Sequence, residues 1–286
     1  MKRRSFIKNF TGLGLVGLTT GFYTFSIEPY WVEYVKLPMP IRNLPDNLVG
    51  KKLVQISDIH IGDEFDWNYI ISSFKQVKKM KPDFVVYTGD FVSYRTSKQI
   101  DQLNRVFKYV AKGELGTFGI LGNHDYGHRY KEPHVAVQVT TALENVGIKV
   151  LRNSQEHASG LNIIGIDDLW GTNFYPEKVT TKINHSEANL VLCHNPDVAD
   201  LPVWNGYKGW ILSGHTHGGQ CKPPFLPPPV LPVQNREYVA GKYDLHDGRY
   251  MYINRALGCS YPVRFNVRPE ITVFTLEKEE IEAKEA

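Results

Sequence analysis

The sequence predicts an α/β fold in which two mixed sheets stack face to face with helices outside, and two observations predict it. In the first half, short apolar runs alternate with helical patterns in the order β-α-β-α-β, which argues for parallel pairing. The second half holds further strand-like runs with few helices between them, which suits a second sheet laid against the first.

The chain of 286 residues is long for one domain and short for two, so one large α/β domain with accessory segments is expected. Residues 1–27 read as a targeting segment. Lys2-Arg3-Arg4-Ser5-Phe6-Ile7-Lys8 precedes a glycine-rich, uncharged run from Phe10 to Ile27. The paired arginines followed by Phe, Ile and Lys resemble a twin-arginine export signal, which implies the twin-arginine export machinery as a partner. The run is about 18 residues long, near the lower limit for spanning a bilayer, and no clear Ala-x-Ala cleavage site follows it. The expectation is an exported protein on the outer side of the cytoplasmic membrane, in the periplasm or cell wall, with this segment either a twin-arginine signal or an N-terminal membrane anchor.

Residues 28–50 carry Pro29, Pro38, Pro40 and Pro45 among Tyr30, Trp31 and Tyr34, and read as a linker merging into a first edge strand. The main domain is expected over 51–276. Its strand-like runs are Leu53–Ser57, Phe84–Thr88, Thr117–Leu121, Ile148–Leu151, Leu161–Ile166, Leu190–Cys193, Trp210–Ser213, Tyr250–Ile253 and Ile271–Leu276. Its helical stretches are Trp67–Met80, Ile100–Val110 and His134–Val146. Residues 222–233 hold six prolines and read as a stiff loop, either a rigid connector or a lip over a substrate. Residues 277–286 form a charged tail expected to fray.

A composition of 42% hydrophobic and 22% charged residues suits a globular protein with a buried core. The net charge of +3 is too small to argue for nucleic acid and suits an anionic small substrate or a membrane surface. Cys193, Cys221 and Cys259 are odd in number and widely spaced, so they imply neither a disulfide framework nor an all-cysteine zinc site.

Five apolar runs end in residues that can bind metal. Leu53–Ser57 is followed by Asp58-Ile59-His60, Phe84–Thr88 by Gly89-Asp90, and Phe118–Leu121 by Gly122-Asn123-His124-Asp125. Leu190–Cys193 is followed by His194-Asn195, and Trp210–Leu212 by Ser213-Gly214-His215-Thr216-His217. The carboxyl ends of strands in an α/β sheet form one rim, so clusters far apart in sequence meet there. Aspartate, asparagine and histidine without thiolate favour Mn, Fe, Zn or Co and argue against an iron–sulfur cluster. Seven such ligands exceed the needs of one tetrahedral zinc and suit two divalent ions about 3.5–4 Å apart, able to hold a hydroxide and clamp a phosphoryl group. Two such ions against two carboxylates and a hydroxide leave about +1, which draws in a phosphate oxygen.

In this order and spacing the clusters resemble the calcineurin-like metallophosphoesterase superfamily, whose signature runs Asp-x-His, Gly-Asp, Gly-Asn-His-Asp/Glu, His, Gly-His-x-His. The resemblance covers roughly residues 51–276 and implies a four-layer α-β-β-α sandwich. It implies that Asp58, His60 and His217 bind one metal, that Asn123, His194 and His215 bind a second, and that Asp90 bridges both. His124 would sit over the site without binding metal, stabilising the phosphoryl transition state or protonating the leaving oxygen. Asp125 would orient His124 and raise its pKa. The stretches His194-Asn195-Pro196-Asp197, Gly214–Gln220, Arg236–Gly241 and Arg268-Pro269-Glu270 further resemble an exported YkuE/YaeI-type branch, similar to diacylglucosamine pyrophosphatases.

The expected function is therefore hydrolysis of a phosphodiester or pyrophosphate bond, with two divalent metal ions (Mn, Zn or Fe), on an envelope or lipid-linked substrate. A phosphomonoesterase and a non-catalytic envelope-binding protein of the same fold are the alternatives. Asp167-Asp168-Leu169-Trp170-Gly171 either lines the substrate mouth or packs Trp170 inward. His128 and Arg129 are candidates to meet phosphate, and Arg236, Arg255 and Arg264 are candidate phosphate clamps. His134, His157, His185 and His246 match no motif and read as surface or capping residues.

Overall fold

Strands form where apolar residues run together, and their alternation decides which layer each face meets. The protein is described over residues 17–280 by a computed structural model. The Lys2–Lys8 motif and residues 281–286 of the expected tail lie outside the described residues.

The strands in chain order are β1 (Glu33–Ile41), β2 (Lys52–Ile56), β3 (Phe84–Thr88), β4 (Gly116–Ile120), β5 (Lys149–Val150), β6 (Ser154–Ala158), β7 (Leu161–Ile166), β8 (Ala188–Cys193), β9 (Gly209–Ser213), β10 (Gly241–Asp244), β11 (Arg249–Ile253) and β12 (Glu270–Lys278). They make two six-stranded sheets, ordered β1-β12-β2-β3-β4-β5 and β10-β11-β9-β8-β7-β6. In the first sheet β2 to β5 are parallel neighbours and β12 runs antiparallel to β2. In the second, β7, β8, β9 and β11 are parallel, with β6 and β10 antiparallel at the edges. Both sheets are mixed, as expected.

Leu53, Phe84, Val86 and Phe118 of the first sheet meet Leu161, Ile163, Leu190, Leu192, Trp210 and Leu212 of the second in a core between the sheets. Val54, Ile56, Val85 and Tyr87 point the other way, under helices α1 (Trp67–Lys79), α2 (Lys98–Phe107) and α3 (Pro133–Asn145). Asp66 caps α1 by accepting from the Asn68 amide at 2.8 Å, and Lys78 and Lys79 face its negative end. The outer face of the second sheet, with Ile164, Val191, Ile211 and Met251, is covered by the one-turn helix α4 (Glu177–Thr180) and by Val198, Trp204 and Tyr207. Four layers result, the last of them thin.

Residues 28–50 supply β1, which runs parallel to β12 from Glu33 opposite Glu270 to Ile41 opposite Lys278. As an outermost strand it tolerates Pro38 and Pro40. The last strand, β12, continues to Lys278, two residues beyond the expected end of its apolar run at Leu276. Strands β6 and β10 carry no apolar alternation because both are sheet edges exposed to solvent. Among the described residues no helix is long and apolar enough to cross a membrane. Residues 17–27 are helical and expose Leu18, Phe22 and Phe25.

Candidate metal centre

The parallel strands β2, β3 and β4 end on one rim of the first sheet, and β8 and β9 end on the facing rim of the second. The chain turns sharply at each end. Asp58, His60, Asp90, His215 and His217 adopt left-handed backbone conformations with φ of 49°, 51°, 55°, 72° and 52°. Each costs an L-residue about 1–2 kcal/mol, and such strain gathers where function requires a side chain to be aimed. Glycine gives the loops room to close. A Cβ on Gly122 would lie 2.3 Å from Asp90 Oδ1, and one on Gly214 2.2 Å from Asp58 Oδ2.

The result gathers Asp58, His60, Asp90, His194, His215 and His217 into adjoining groups, and Asn123 lines the same cavity. His194 Nδ1 lies 2.7 Å from the Thr88 carbonyl, and His215 Nε2 lies 2.8 Å from the Pro232 carbonyl. A carbonyl only accepts, so these nitrogens carry the protons. His194 Nε2 and His215 Nδ1 are then left facing each other at 3.3 Å, with Asp90 Oδ2 3.3 Å from the former. On the other side His60 Nε2 is 3.0 Å from His217 Nε2 and 3.6 Å from Asp90 Oδ2. Its Nδ1 is within 3.1 Å of the Ser93 hydroxyl and 3.3 Å of that of Ser260. Asp58 Oδ1 lies 3.3 Å from His217 Nε2. Asp58, His60 and His217 form one group with ligand atoms within 4.8 Å of one another, and Asp90, His194 and His215 form another. A third such group joins His60, Asp90 and His124.

These residues fit divalent cations on four counts. Ring nitrogens converge on one another beside carboxylates, an arrangement that calls for positive charge among them. The Asn123 Oδ1 is buried with no hydrogen-bond partner among the described residues. His194 and His215 give their other N–H to backbone carbonyls, which fixes a metal-binding imidazole in tautomer and orientation. Three donors also hold their ligand forms, and a fourth holds a proton that a cation would displace: burial works to lower His194, but Asp90 and Asp58 outweigh it and raise it well above its ordinary value. Burial and the neighbouring His194 keep His215 down to about 3, and burial lowers His60 well below its ordinary value. Burial works to raise the Asp58 carboxyl, but His194 and His217 outweigh it and bring it to about 2.

The half-buried His124 stands over this cluster. Its backbone N–H donates to Asp90 Oδ1 at 2.8 Å, and its ring is edge-on to those of His60 and Tyr130 at 4.9 and 5.3 Å. Asp125 does not play the part expected of it. Its Oδ1 accepts from the Phe91 and Val92 amides at 2.8 and 3.2 Å and its Oδ2 from the Gly122 amide at 2.9 Å. Both oxygens are committed to backbone, so Asp125 positions the loops that carry Asp90 and Asn123 and does not orient the His124 ring.

The candidate clamps are corrected as well. Arg264 is fully buried and donates to the carbonyls of Arg255, Ala256, Gly258 and Val267. Arg255 pairs with Glu33 and Glu270, and Arg236 reaches the carbonyls of Pro228, Pro229 and Leu231. Each is structural. His128 and Arg129 are exposed, and His128 Nε2 is 3.0 Å from the Arg95 carbonyl.

Tyr130, next in sequence, does reach the site. Its ring stacks on Trp170 at 5.8 Å, and Trp170 meets His215 edge-on at 4.5 Å. Together with Pro229, Val230 and Pro232 they line a cavity of about 390 Å³ whose metal-binding lining includes His60, Asp90, His215 and His217. Trp170 therefore lines the mouth, and the Pro-rich loop is its lip. Sequence reasoning missed Tyr130, Ser93, Ser260 and the carbonyls of Thr88 and Pro232; backbone acceptors carry no residue signature.

Fold and site together define a two-sheet α/β protein with a donor set for divalent metal between its sheet rims, the architecture of a metal-dependent phosphoesterase. The chain belongs to the calcineurin-like phosphoesterase family, whose sequence model matches residues 51–219. It is 31% identical to the metallophosphoesterase YkuE of Bacillus subtilis, over 97% of this chain and 98% of that one. It is 30% identical to the phosphodiesterase YaeI of Escherichia coli, over 96% and 99% of the two chains. Similarity extends to the UDP-2,3-diacylglucosamine pyrophosphatase LpxG of Chlamydia trachomatis, at 26% identity over 90% and 96%.

Proposed function

We propose that the chain hydrolyses a phosphodiester or pyrophosphate bond of an envelope or lipid-linked substrate. Two divalent cations would be held, one on Asp58, His60 and His217 and one on Asn123, His194 and His215, with Asp90 shared. The observation that carries this reading is the position of Asp90 Oδ2, 3.6 Å from His60 Nε2 and 3.3 Å from His194 Nε2, between the two donor groups. Relatives named phosphodiesterase and pyrophosphatase support the bond class. No Lys or Arg is among the described residues lining the cavity, which suits a singly charged diester better than a dianionic monoester.

Divalent cations bound there supply Lewis acidity toward the phosphoryl oxygens and a water made acidic at neutral pH. The chain supplies the rest. Asp58 and Asp90 bring the negative charge that retains the cations, and the Thr88 and Pro232 carbonyls keep His194 and His215 turned to the site. His124, facing the cavity, hydrogen-bonds the phosphoryl group and gives its proton to the departing oxygen. Tyr130 and Trp170 give the substituent beyond the phosphorus an apolar wall.

The deciding measurement is metal content by mass spectrometry with turnover of bis-(p-nitrophenyl) phosphate and p-nitrophenyl phosphate, for the wild type and His124→Ala. Two metals per chain in both proteins, a preference for the diester and a loss of about 10²–10⁴ in kcat in the variant are expected. Turnover of the monoester alone would make the enzyme a phosphomonoesterase, and metal lost with His124 would make that residue a ligand.

The basic start and uncharged run of residues 1–27 support export by the twin-arginine route, with the segment kept as an anchor on the outer side of the cytoplasmic membrane. Cell fractionation of Arg3→Lys/Arg4→Lys should find the protein retained in the cytoplasm; unchanged export would rule the route out.

A further inference from the structure

We propose that the tip of the Pro-rich loop, built on Phe225 and Leu226, inserts into the surface of a lipid bilayer and holds the mouth of the metal cavity against it. The inference rests on the envelope-substrate reading and gives it a place on the molecule.

Phe225 is the most exposed large apolar side chain among the described residues, at 105% of its reference area, and it takes a left-handed backbone conformation with φ of 66°. A phenylalanine gains nothing in water from either circumstance. The conformation is one that glycine or asparagine adopts more easily, and the ring is offered wholly to solvent. Leu226 next to it and Val230 further along the same loop are 60% and 73% exposed. Scattered apolar residues are ordinary, but three on one short loop form a patch of the kind that marks an interaction site.

The loop is built to present them. The turn closes with the Leu226 amide donating to the Pro223 carbonyl at 3.3 Å. Arg236 donates to the carbonyls of Pro228 and Pro229 at 3.2 and 3.3 Å. Gly219 passes so near Pro228 that a Cβ there would stand 2.1 Å from it. A tip held this way loses little freedom when it binds. The same loop leads into the site, because Pro229, Val230 and Pro232 line the cavity and the Pro232 carbonyl orients His215.

The lipid occupant is argued from the chain that adjoins the loop. Cys221, at its start, bridges to Phe265, and Gln220 donates to the carbonyl of the exposed Tyr261 at 3.3 Å. In the same segment the Arg264 amide donates to the Thr24 carbonyl at 3.0 Å. Thr24 belongs to the helical stretch that exposes Phe22 and Phe25, the end of an uncharged run that starts at Phe10 and follows Lys2, Arg3, Arg4 and Lys8. Basic residues, then an uncharged run, then an apolar loop whose base is tied to that run through residues 261–265 describe contact with one bilayer surface.

The test uses the full chain with vesicles of phosphatidylethanolamine and phosphatidylglycerol. In Phe225→Trp, acyl-brominated lipids should quench tryptophan emission beyond the quenching of the parent protein. In Phe225→Ser/Leu226→Ser, turnover of phosphatidyl-p-nitrophenol in vesicles should fall about tenfold or more, as expected when two apolar side chains leave the interface, while turnover of soluble bis-(p-nitrophenyl) phosphate stays unchanged. No extra quenching together with an unchanged vesicle rate would overturn the proposal. So would a dimer, seen by light scattering, that the double substitution dissolves. If the parent fails on the soluble diester, the phosphoesterase reading fails, and quenching still decides the loop.

Discussion

Among the carboxylates buried beside the centre, Asp168 has an oxygen with no hydrogen-bond partner among the described residues. Its Oδ1 accepts from the Trp170 and Gly171 amides at 2.8 and 3.0 Å, so it shapes the turn that brings Trp170 to the mouth, while its Oδ2 is buried and alone. Burial pushes this carboxyl from 3.8 up to about 7. The unfolded chain gives up the proton near the lower value and the folded chain near the higher one. Between them the native state binds the extra proton, and stability falls as pH rises through that window. Asp168→Asn keeps the shape and does not titrate. Each pH step of one across the window is worth about 1.4 kcal/mol, so in chelator-treated protein the variant should gain about 2–3 kcal/mol relative to wild type between about pH 5 and pH 8. Denaturant midpoints at the two pH values check this, and equal differences at both would show that the carboxyl is already ionised at the lower one.

At the scale of elements, what could be read from the sequence was the part written in side chains. Leu53–Ser57, Phe84–Thr88 and Leu161–Ile166 are largely apolar without strict alternation because their strands are buried on both faces, and their polar successors mark the rim. Strands β6 and β10 escaped because an edge strand in solvent needs no apolar alternation. The roles of Asp125, Arg236 and Arg264 escaped for another reason: their partners are backbone groups, which every sequence has. The Asn195-Pro196-Asp197 stretch shows the same. Asn195 caps its turn by accepting from the Asp197 amide at 3.0 Å, and Asp197 accepts from the Gln234 and Asn235 amides at 2.7 and 3.0 Å. A motif legible as a family signature thus fastens the end of the Pro-rich loop beside His194. That loop could be read as stiff from its prolines, but its place at the lip depends on this bracing from β8.

Across the whole molecule, the centre is a joint between the two sheets. Asp58 and His60 come from the first sheet and His217 from the second; Asp90 and Asn123 come from the first and His194 and His215 from the second. Each donor group therefore spans both rims, above the apolar core they share. Cations bound there oppose separation of the sheets as well as serving the chemistry, and a ligand that binds only the native state stabilises it by mass action. At free metal about 100 times Kd, each site contributes about 2.7 kcal/mol. Treatment with a chelator should abolish phosphodiester turnover and lower Tm by about 10 °C for two sites in a domain of this size, and Mn or Zn should restore both. Loss of turnover without change in Tm would mean that the rims are held by the core alone and that the cations bind to a site already closed. A fall in Tm half as large, recovered with one metal per chain, would leave one of the two groups as a donor set without an ion.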